Sequence, residues 1–318
     1  MPRFRRAVLL YNPTAGSSAD RASQVKAVAE ILRPLADELH TEPTRAAGSG
    51  AAQAREAIAA GCDLLFACGG DGTVFDILQG VAQTRATLGV IPLGTGNVLA
   101  TDLGLPPNAV AAAHALLQYV PQRIALGRIM TSACEPRYFT VAAGVGVHAE
   151  LIYHAGTAAK QRSGIAAYYV AGFRLLFAHH FVPFVAEITA PDGSVAREEI
   201  LEIVAMRVSS FGRWLRRWRP GSALTSPNLQ LVVLRQSSRL AMARYVWGAL
   251  TGHAHRTDLS SRSADVRFVP ATRVRCLATD DARRIRAQAD GEMLGTMPVE
   301  IEIVPDSLTL LLPPGGSR

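Results

Sequence analysis

Asp63-Leu64-Leu65-Phe66-Ala67-Cys68-Gly69-Gly70-Asp71-Gly72-Thr73 is the stretch that decides the fold. A short apolar run ends in three glycines, and residues 73–81 then carry apolar side chains at helical spacing. That reads as a buried strand, a tight turn and a helix. Outward from it the pattern repeats. Residues 6–11 are a short apolar strand, 20–39 a helix by periodicity, 51–60 an alanine-rich helix, 87–91 another buried strand and 97–103 another helix. Strands separated by helices of this length imply parallel βαβ units. In such sheets ligands bind beyond the C-terminal strand ends, where every glycine-rich turn of this region falls.

After about residue 120 the texture changes. Spans 122–129, 138–146, 184–190, 198–208, 229–234, 273–278, 284–289, 299–304 and 307–312 read as strands, with two helices near 164–178 and 239–250. The expected architecture is an α/β nucleotide-binding domain with a parallel sheet over residues 1–120, then a predominantly β domain over 121–318. A length of 318 residues favours two cores over one. With 49% hydrophobic and 19% charged residues, the composition is globular and excludes disorder.

The net charge of +7 comes almost wholly from arginine, Lys26 and Lys160 being the only lysines. It favours acidic partners such as phosphates, nucleic acid or anionic membrane without choosing among them. Cys62, Cys68, Cys134 and Cys276 form no CxxC pair, which argues against a zinc site or a disulfide framework and for a reducing cytoplasm. The apolar run at 7–11 is too short for a signal segment. Span 165–188 is interrupted by Arg174, His179, His180, Pro183 and Glu187, so a bilayer crossing is not expected.

Three turns face a common sheet edge in this reading. Asn12-Pro13-Thr14-Ala15-Gly16 leaves the first strand; taken alone it is an ordinary strand-to-helix loop. Gly69-Gly70-Asp71-Gly72-Thr73 is sharper. Its glycines let backbone approach a ligand, and the following helix aims N–H groups and the positive dipole end at the same point. It is neither a Walker A loop nor GxGxxG. Asp71 would repel a phosphate, so its uses are to orient glycine N–H groups or to engage Mg²⁺. Pro92-Leu93-Gly94-Thr95-Gly96-Asn97 is the third, with Thr95 and Asn97 suited to a phosphate or an adenine edge.

In this order and spacing, followed by Leu103-Gly104-Leu105-Pro106, the three segments resemble the catalytic domain of the diacylglycerol kinase family, which includes sphingosine and ceramide kinases. The resemblance is strong over the first third. Beyond it, it is carried by Gly144-Val145-Gly146 and Asp290-Gly291-Glu292. It implies an α/β nucleotide domain, a β-sandwich domain, an active site in the cleft between them, ATP, Mg²⁺ and a lipid alcohol. By the same resemblance Asn12, Pro13, Gly16, Gly69, Gly70, Asp71, Gly72, Thr73, Gly94, Thr95, Gly96, Asn97 and Glu292 serve the nucleotide. Asp71 and Asp290 are the catalytic carboxylates, Asp290 as general base, and Asp71 and Glu292 lie at the metal. Without that context Asp290-Gly291 reads as a hairpin turn. Four departures touch the lipid side and a secondary metal site: Val98 and Thr101 where members often have Asp and Arg, His148 for an Asp, and Pro227-Asn228 for an Asp-Gly.

Trp214 and Trp218 share a helical face among Arg213, Arg216 and Arg217. That suits an anionic membrane interface, and equally two tryptophans packed on a core. No nucleic-acid motif accompanies them. The expected protein is a cytoplasmic, peripherally membrane-associated lipid kinase, with a homodimer left open. A soluble-substrate kinase of NAD-kinase type and a non-catalytic lipid-binding protein are the alternatives.

Overall fold

The computed structural model describes residues 3–15, 21–150, 152–153, 182–208, 223–235, 266–277 and 284–315. Gly16, the expected helices at 164–178 and 239–250, and the Arg213–Trp218 segment lie outside them. The chain divides into two compact units. The first is Met1–Leu126, Ala223–Ser226 and Val304–Arg318; the second is Gly127–Ser222 and Pro227–Ile303.

The first unit runs β1 (Phe4–Tyr11), α1 (Arg21–Leu32), β2 (Ala36–Pro43), α2 (Gly50–Ala59), β3 (Leu64–Gly69), α3 (Asp71–Val81), β4 (Thr87–Pro92), α4 (Val98–Asp102) and α5 (Ala109–Leu116). Its strands lie in the order β4-β3-β1-β2, all parallel. Every residue of β3 and β4 is buried, as a parallel sheet covered on both faces requires. The helix expected over 20–39 ends at Leu32. Pro34 follows within a single 3₁₀ turn, and Ala36–Pro43 is an edge strand. Proline cannot donate to a continuing helix. The edge strand, Ala-Asp-Glu-Leu-His-Thr-Glu-Pro, exposes most of its side chains and so shows no apolar signature.

The second unit is antiparallel. Its strands, the first starting in the first unit, are β5 (Val120–Thr131), β6 (Arg137–Phe139), β7 (Ala142–Gly146), β8 (Phe184–Thr189), β9 (Val195–Met206), β10 (Leu229–Arg235), β11 (Val266–Ala271), β12 (Arg273–Leu277), β13 (Arg286–Ala289) and β14 (Glu292–Thr296). β9 pairs with β8 through its first half and with β7 and β10 through its second. β13 continues the sheet beyond β7, and β14 beyond β13.

β15 (Val299–Leu312) is one strand where two were expected. Its early residues pair antiparallel with β12, and Thr309–Leu310 pair parallel with β4. Pro305 and Asp306, read from sequence as a break, are exposed within it, and Asp306 has φ +47°. Conversely, the span expected as one strand over 138–146 is split at Thr140-Val141, for a reason that lies in the site.

Candidate functional site

In the first unit the strand register places three turns at one edge of the sheet. Tyr11 is opposite Cys68, and Gly69 opposite Pro92. Backbone bonds continue the alignment past the strand ends: Asn12 N–H donates to the Cys68 carbonyl at 3.0 Å, and Leu93 N–H to the Gly69 carbonyl at 2.9 Å.

The turns then lock onto one another. The Asn12 amide donates to Thr73 Oγ1 at 3.2 Å, while its Oδ1 accepts from the N–H and hydroxyl of Thr14, each at 2.9 Å. Asn97, in the left-handed region at φ +49°, folds its amide back on Gly94: Oδ1 accepts from Gly94 N–H at 3.0 Å and Nδ2 donates to the Gly94 carbonyl at 2.6 Å. Asp71 Oδ1 accepts from Val98 N–H at 2.7 Å, at the start of α4. Burial raises the Asp71 pKa, and the N–H groups of Val98, Asn97 and Leu99 pull it back.

The glycines have a packing reason. A Cβ on Gly94 would lie 2.6 Å from Gly70 Cα, and one on Gly96 would lie 2.7 Å from Asp71 Oδ2. Two turns from neighbouring strands therefore touch backbone to backbone, leaving Gly72, Thr95 and Gly96 exposed. Gly94→Ala is expected to force the turns apart and, with the turns holding a nucleotide as the resemblance implies, to weaken its binding by about 10-fold or more. Binding of a fluorescent ATP analogue to wild type and variant checks this; equal affinity would show that the contact is not needed.

In the second unit Asp290 and Gly291, at φ +47° and +89°, form the two-residue turn between β13 and β14. The turn is built into the sheet. Asp290 Oδ2 accepts from Thr140 N–H at 2.9 Å and the Thr140 hydroxyl at 3.1 Å; Oδ1 accepts from Val141 N–H at 2.9 Å and Ala142 N–H at 3.0 Å. Asp290 N–H donates to the Ala142 carbonyl at 2.8 Å, and Gly291 N–H to Gln288 Oε1 at 3.0 Å. This is why the strand breaks at Thr140-Val141: those N–H groups serve a carboxylate instead of a ladder. Burial pushes the Asp290 pKa up to about 6, and the Thr140, Val141 and Ala142 donors oppose it. Glu292, two residues on, is exposed.

Apart from Gly16 and the Arg213–Trp218 segment, which lie outside the described residues, each sequence-expected residue has a place. Asn12, Gly70, Asp71, Thr73, Gly94 and Asn97 meet in the first unit, with Gly69, Gly72, Thr95 and Gly96 in the same turns and Pro13 beside Asn12. Asp290 and Glu292 share one hairpin of the second unit. Sequence reasoning missed Thr140, Gln288 and Glu202. Thr140 carries no sequence signal. Glu202 carries one, a lone acid inside the apolar run Ile200-Leu201-Glu202-Ile203-Val204. Among the described residues no group of three His, Cys, Asp or Glu side chains could hold a metal.

A sequence model of the diacylglycerol kinase catalytic domain matches residues 6–129, and one described as a YegS C-terminal NAD kinase beta sandwich-like domain matches 140–312. A diacylglycerol kinase of Bacillus subtilis (strain 168) is 30% identical over 303 residues, covering 93% of each chain. The chain belongs to the diacylglycerol kinase family. Its members are phosphotransferases with an alcohol acceptor, and its fold is an α/β domain with parallel strands followed by a β-sandwich domain. A diacylglycerol kinase of Staphylococcus aureus (strain bovine RF122 / ET3-1) is 25% identical, covering 92% of this chain and 88% of its own. Among solved structures, a diacylglycerol kinase from Bacillus anthracis str. Sterne superposes with a TM-score of 0.71 at 20% identity, covering 99% of this chain and 100% of that one. That last likeness bears on fold alone.

Against the family pattern, the departures acquire local explanations. Val98 contributes its backbone N–H to Asp71, a bond that any residue but proline supplies. The Thr101 hydroxyl donates to the Asn97 carbonyl at 2.9 Å. The Asn228 carbonyl accepts from the buried Arg207 guanidinium at 2.8 Å. Leu103-Gly104-Leu105-Pro106 ends α4: Gly104 takes φ +74°, and the buried Tyr119 hydroxyl donates to the Leu103 carbonyl at 2.7 Å.

Proposed function

We propose that the protein transfers the γ-phosphoryl group of ATP, with Mg²⁺, to a hydroxyl of a lipid such as diacylglycerol or a sphingoid base. The observation that carries this is the backbone contact of Gly70 with Gly94 at adjacent strand ends, which presents bare main chain at the mouth of a parallel sheet. Phosphoryl transfer needs positioning and charge neutralisation more than covalent chemistry. ATP would supply the group and Mg²⁺ would neutralise its charge. Asp71, through Oδ2, is a carboxylate available to the cation, which commonly rests on one or two carboxylates plus phosphate oxygens.

The residues of this chain then divide the work. The 69–73 and 92–97 turns hold the phosphates. Proton acceptance was assigned by resemblance to Asp290. Its two oxygens already accept four hydrogen bonds, so serving as a base would require Thr140, Val141 or Ala142 to let go. Glu292 has open carboxylate oxygens and is the more suitable proton acceptor in this geometry, with Asp290 as the residue that positions it.

The deciding experiment incubates the full chain with radiolabelled ATP, Mg²⁺ and, separately, diacylglycerol, sphingosine, ceramide and NAD. Labelled lipid is the expected product. Labelled NAD would transfer the reading to the NAD-kinase type, and no product with retained vesicle binding would leave a lipid-binding protein.

Among the described residues no helix is long and apolar enough to cross a membrane. Access to lipid is proposed to come through Arg213, Trp214, Arg216, Arg217 and Trp218 at an anionic surface, each cation adding about 1 kcal/mol. Replacing Trp214 and Trp218 with alanine should weaken sedimentation with phosphatidylglycerol vesicles. Undiminished sedimentation would remove that segment from the proposal.

A further inference from the structure

The second unit holds a buried polar cluster for which the turns described above have no use. β7 runs between β13 and β9, with Gly144 opposite Gln288 on one side and Val204 on the other; two residues on, Gly146 is opposite Glu202. A strand's side chains alternate between faces, so Gln288, the bare Gly144 and Glu202 belong to one face. A Cβ on Gly144 would come within 3.1 Å of Gln288 Nε2 and 3.3 Å of His148 Cδ2, so both side chains pack against side-chain-free main chain.

Gly146 lets the chain turn there. It has φ +106°, and a Cβ would sit 2.3 Å from the Leu201 carbonyl oxygen. The turn carries His148 N–H to Glu202 Oε1 at 3.1 Å. Glu202 is 2% exposed, and its Oε2 has no hydrogen-bond partner. A buried carboxyl oxygen left unpaired is destabilising, and such an orphan in a native fold calls for a ligand or water. Burial lifts the Glu202 pKa to about 8 and lowers that of His148 to about 4, so both side chains are mainly neutral at pH 7. His148 keeps part of its surface open. Gln288, whose Oε1 holds Gly291 N–H, connects this patch to the Asp290–Glu292 turn.

We propose that Glu202, beside His148, is a specificity-determining contact for the lipid: while Oε1 accepts from His148 N–H, the unpaired Oε2 donates a hydrogen bond to a hydroxyl oxygen at the lipid's polar end. This rests on the lipid-kinase reading. A neutral carboxyl next to a neutral imidazole suits an uncharged hydroxyl and disfavours a phosphate-bearing head, which would be desolvated without a countercharge.

The test uses the full chain, without nucleotide, in neutral detergent micelles. Binding of 1,2-dioctanoylglycerol is compared with that of its analogue lacking the free hydroxyl, and with sphingosine, which adds an amine. Wild type should prefer dioctanoylglycerol over the analogue by about 10- to 100-fold. Glu202→Met should abolish that preference, and Glu202→Gln, whose amide oxygen can accept from His148 N–H while its NH₂ donates in place of Oε2, should restore most of it. Stronger binding of sphingosine, lost in the Met variant, would show that Glu202 accepts from a cation and would overturn the proposal. Melting midpoints separate this from a purely structural role. If the Met variant melts lower yet discriminates like wild type, the proposal is wrong.

If the Met variant does not fold, infrared difference spectra decide. The carboxyl C=O band assigned by wild type minus Glu202→Gln should shift when dioctanoylglycerol is added and not with the analogue; an unmoved band overturns the assignment. Wild type that phosphorylates lipid without hydroxyl discrimination sinks this proposal alone. Wild type that phosphorylates no lipid sinks the kinase reading with it.

Discussion

Asp290→Ala should lose turnover by about 100- to 10,000-fold and be destabilised by about 2–4 kcal/mol. The two effects share one cause. The carboxylate is the common acceptor for three consecutive backbone N–H groups and the Thr140 hydroxyl. Alanine leaves those donors without a partner and releases the β13–β14 turn from the 140–142 segment. The sequence alone suggests an intact fold after this change; the structure argues for a stability loss as well.

Asp290→Asn distinguishes the positions. Its Oδ1 can still accept from Val141 and Ala142, but its NH₂ would face the Thr140 N–H, donor against donor. A loss of stability intermediate between wild type and alanine is therefore expected. Glu292→Gln should leave the melting midpoint near wild type and still lose turnover. Urea midpoints and kcat measured on the same preparations check the set. If Asp290→Ala retains wild-type stability, the four contacts are not holding the hairpin; if Glu292→Gln retains wild-type kcat, Glu292 is not the proton acceptor.

Asp71→Ala should reduce turnover by about 100-fold or more with a much smaller stability loss, about 0.5–2 kcal/mol. Its Oδ1 caps the start of α4 through Val98 N–H, and the loss of one cap is a local matter. The larger effect comes from the turns. Asp71 holds the 97–99 segment against the 69–73 turn, so removing it frees the arrangement in which Gly70 meets Gly94. Asp71→Asn keeps an accepting oxygen and so the cap, but not the charge. Near-normal stability with low turnover would assign the charge to the reaction, through the cation. Near-normal turnover in the Asn variant would reduce Asp71 to a cap.

The strands read correctly from the sequence include those whose burial is uniform and those, such as β8 and β12, whose burial alternates. β3 and β4 are buried at every residue, so their apolar runs betray them. β2 reads from the sequence as the end of a helix because an edge strand with mostly exposed side chains imposes no periodicity. β11 was missed for a similar reason: most of its residues are only partly buried. In the site, the glycines of 69–72 and 94–96 announce a turn that approaches something closely. That Gly70 and Gly94 approach each other is a fact about two strands side by side, and no local pattern encodes it.

What the sequence determined by itself was most of the strand and helix order in the first unit, β2 and α5 excepted, the change to β structure after it and the family, because these follow from local burial, turn chemistry and motif order. The tertiary structure alone decided what the polar groups do. Asp71 caps a helix 27 residues on, Asp290 is held by a segment 150 residues away, and Glu202 lies buried beside His148 with one oxygen unpaired. A hydrogen bond depends on which atoms the folded chain brings within about 3 Å, and separation along the sequence carries no such information.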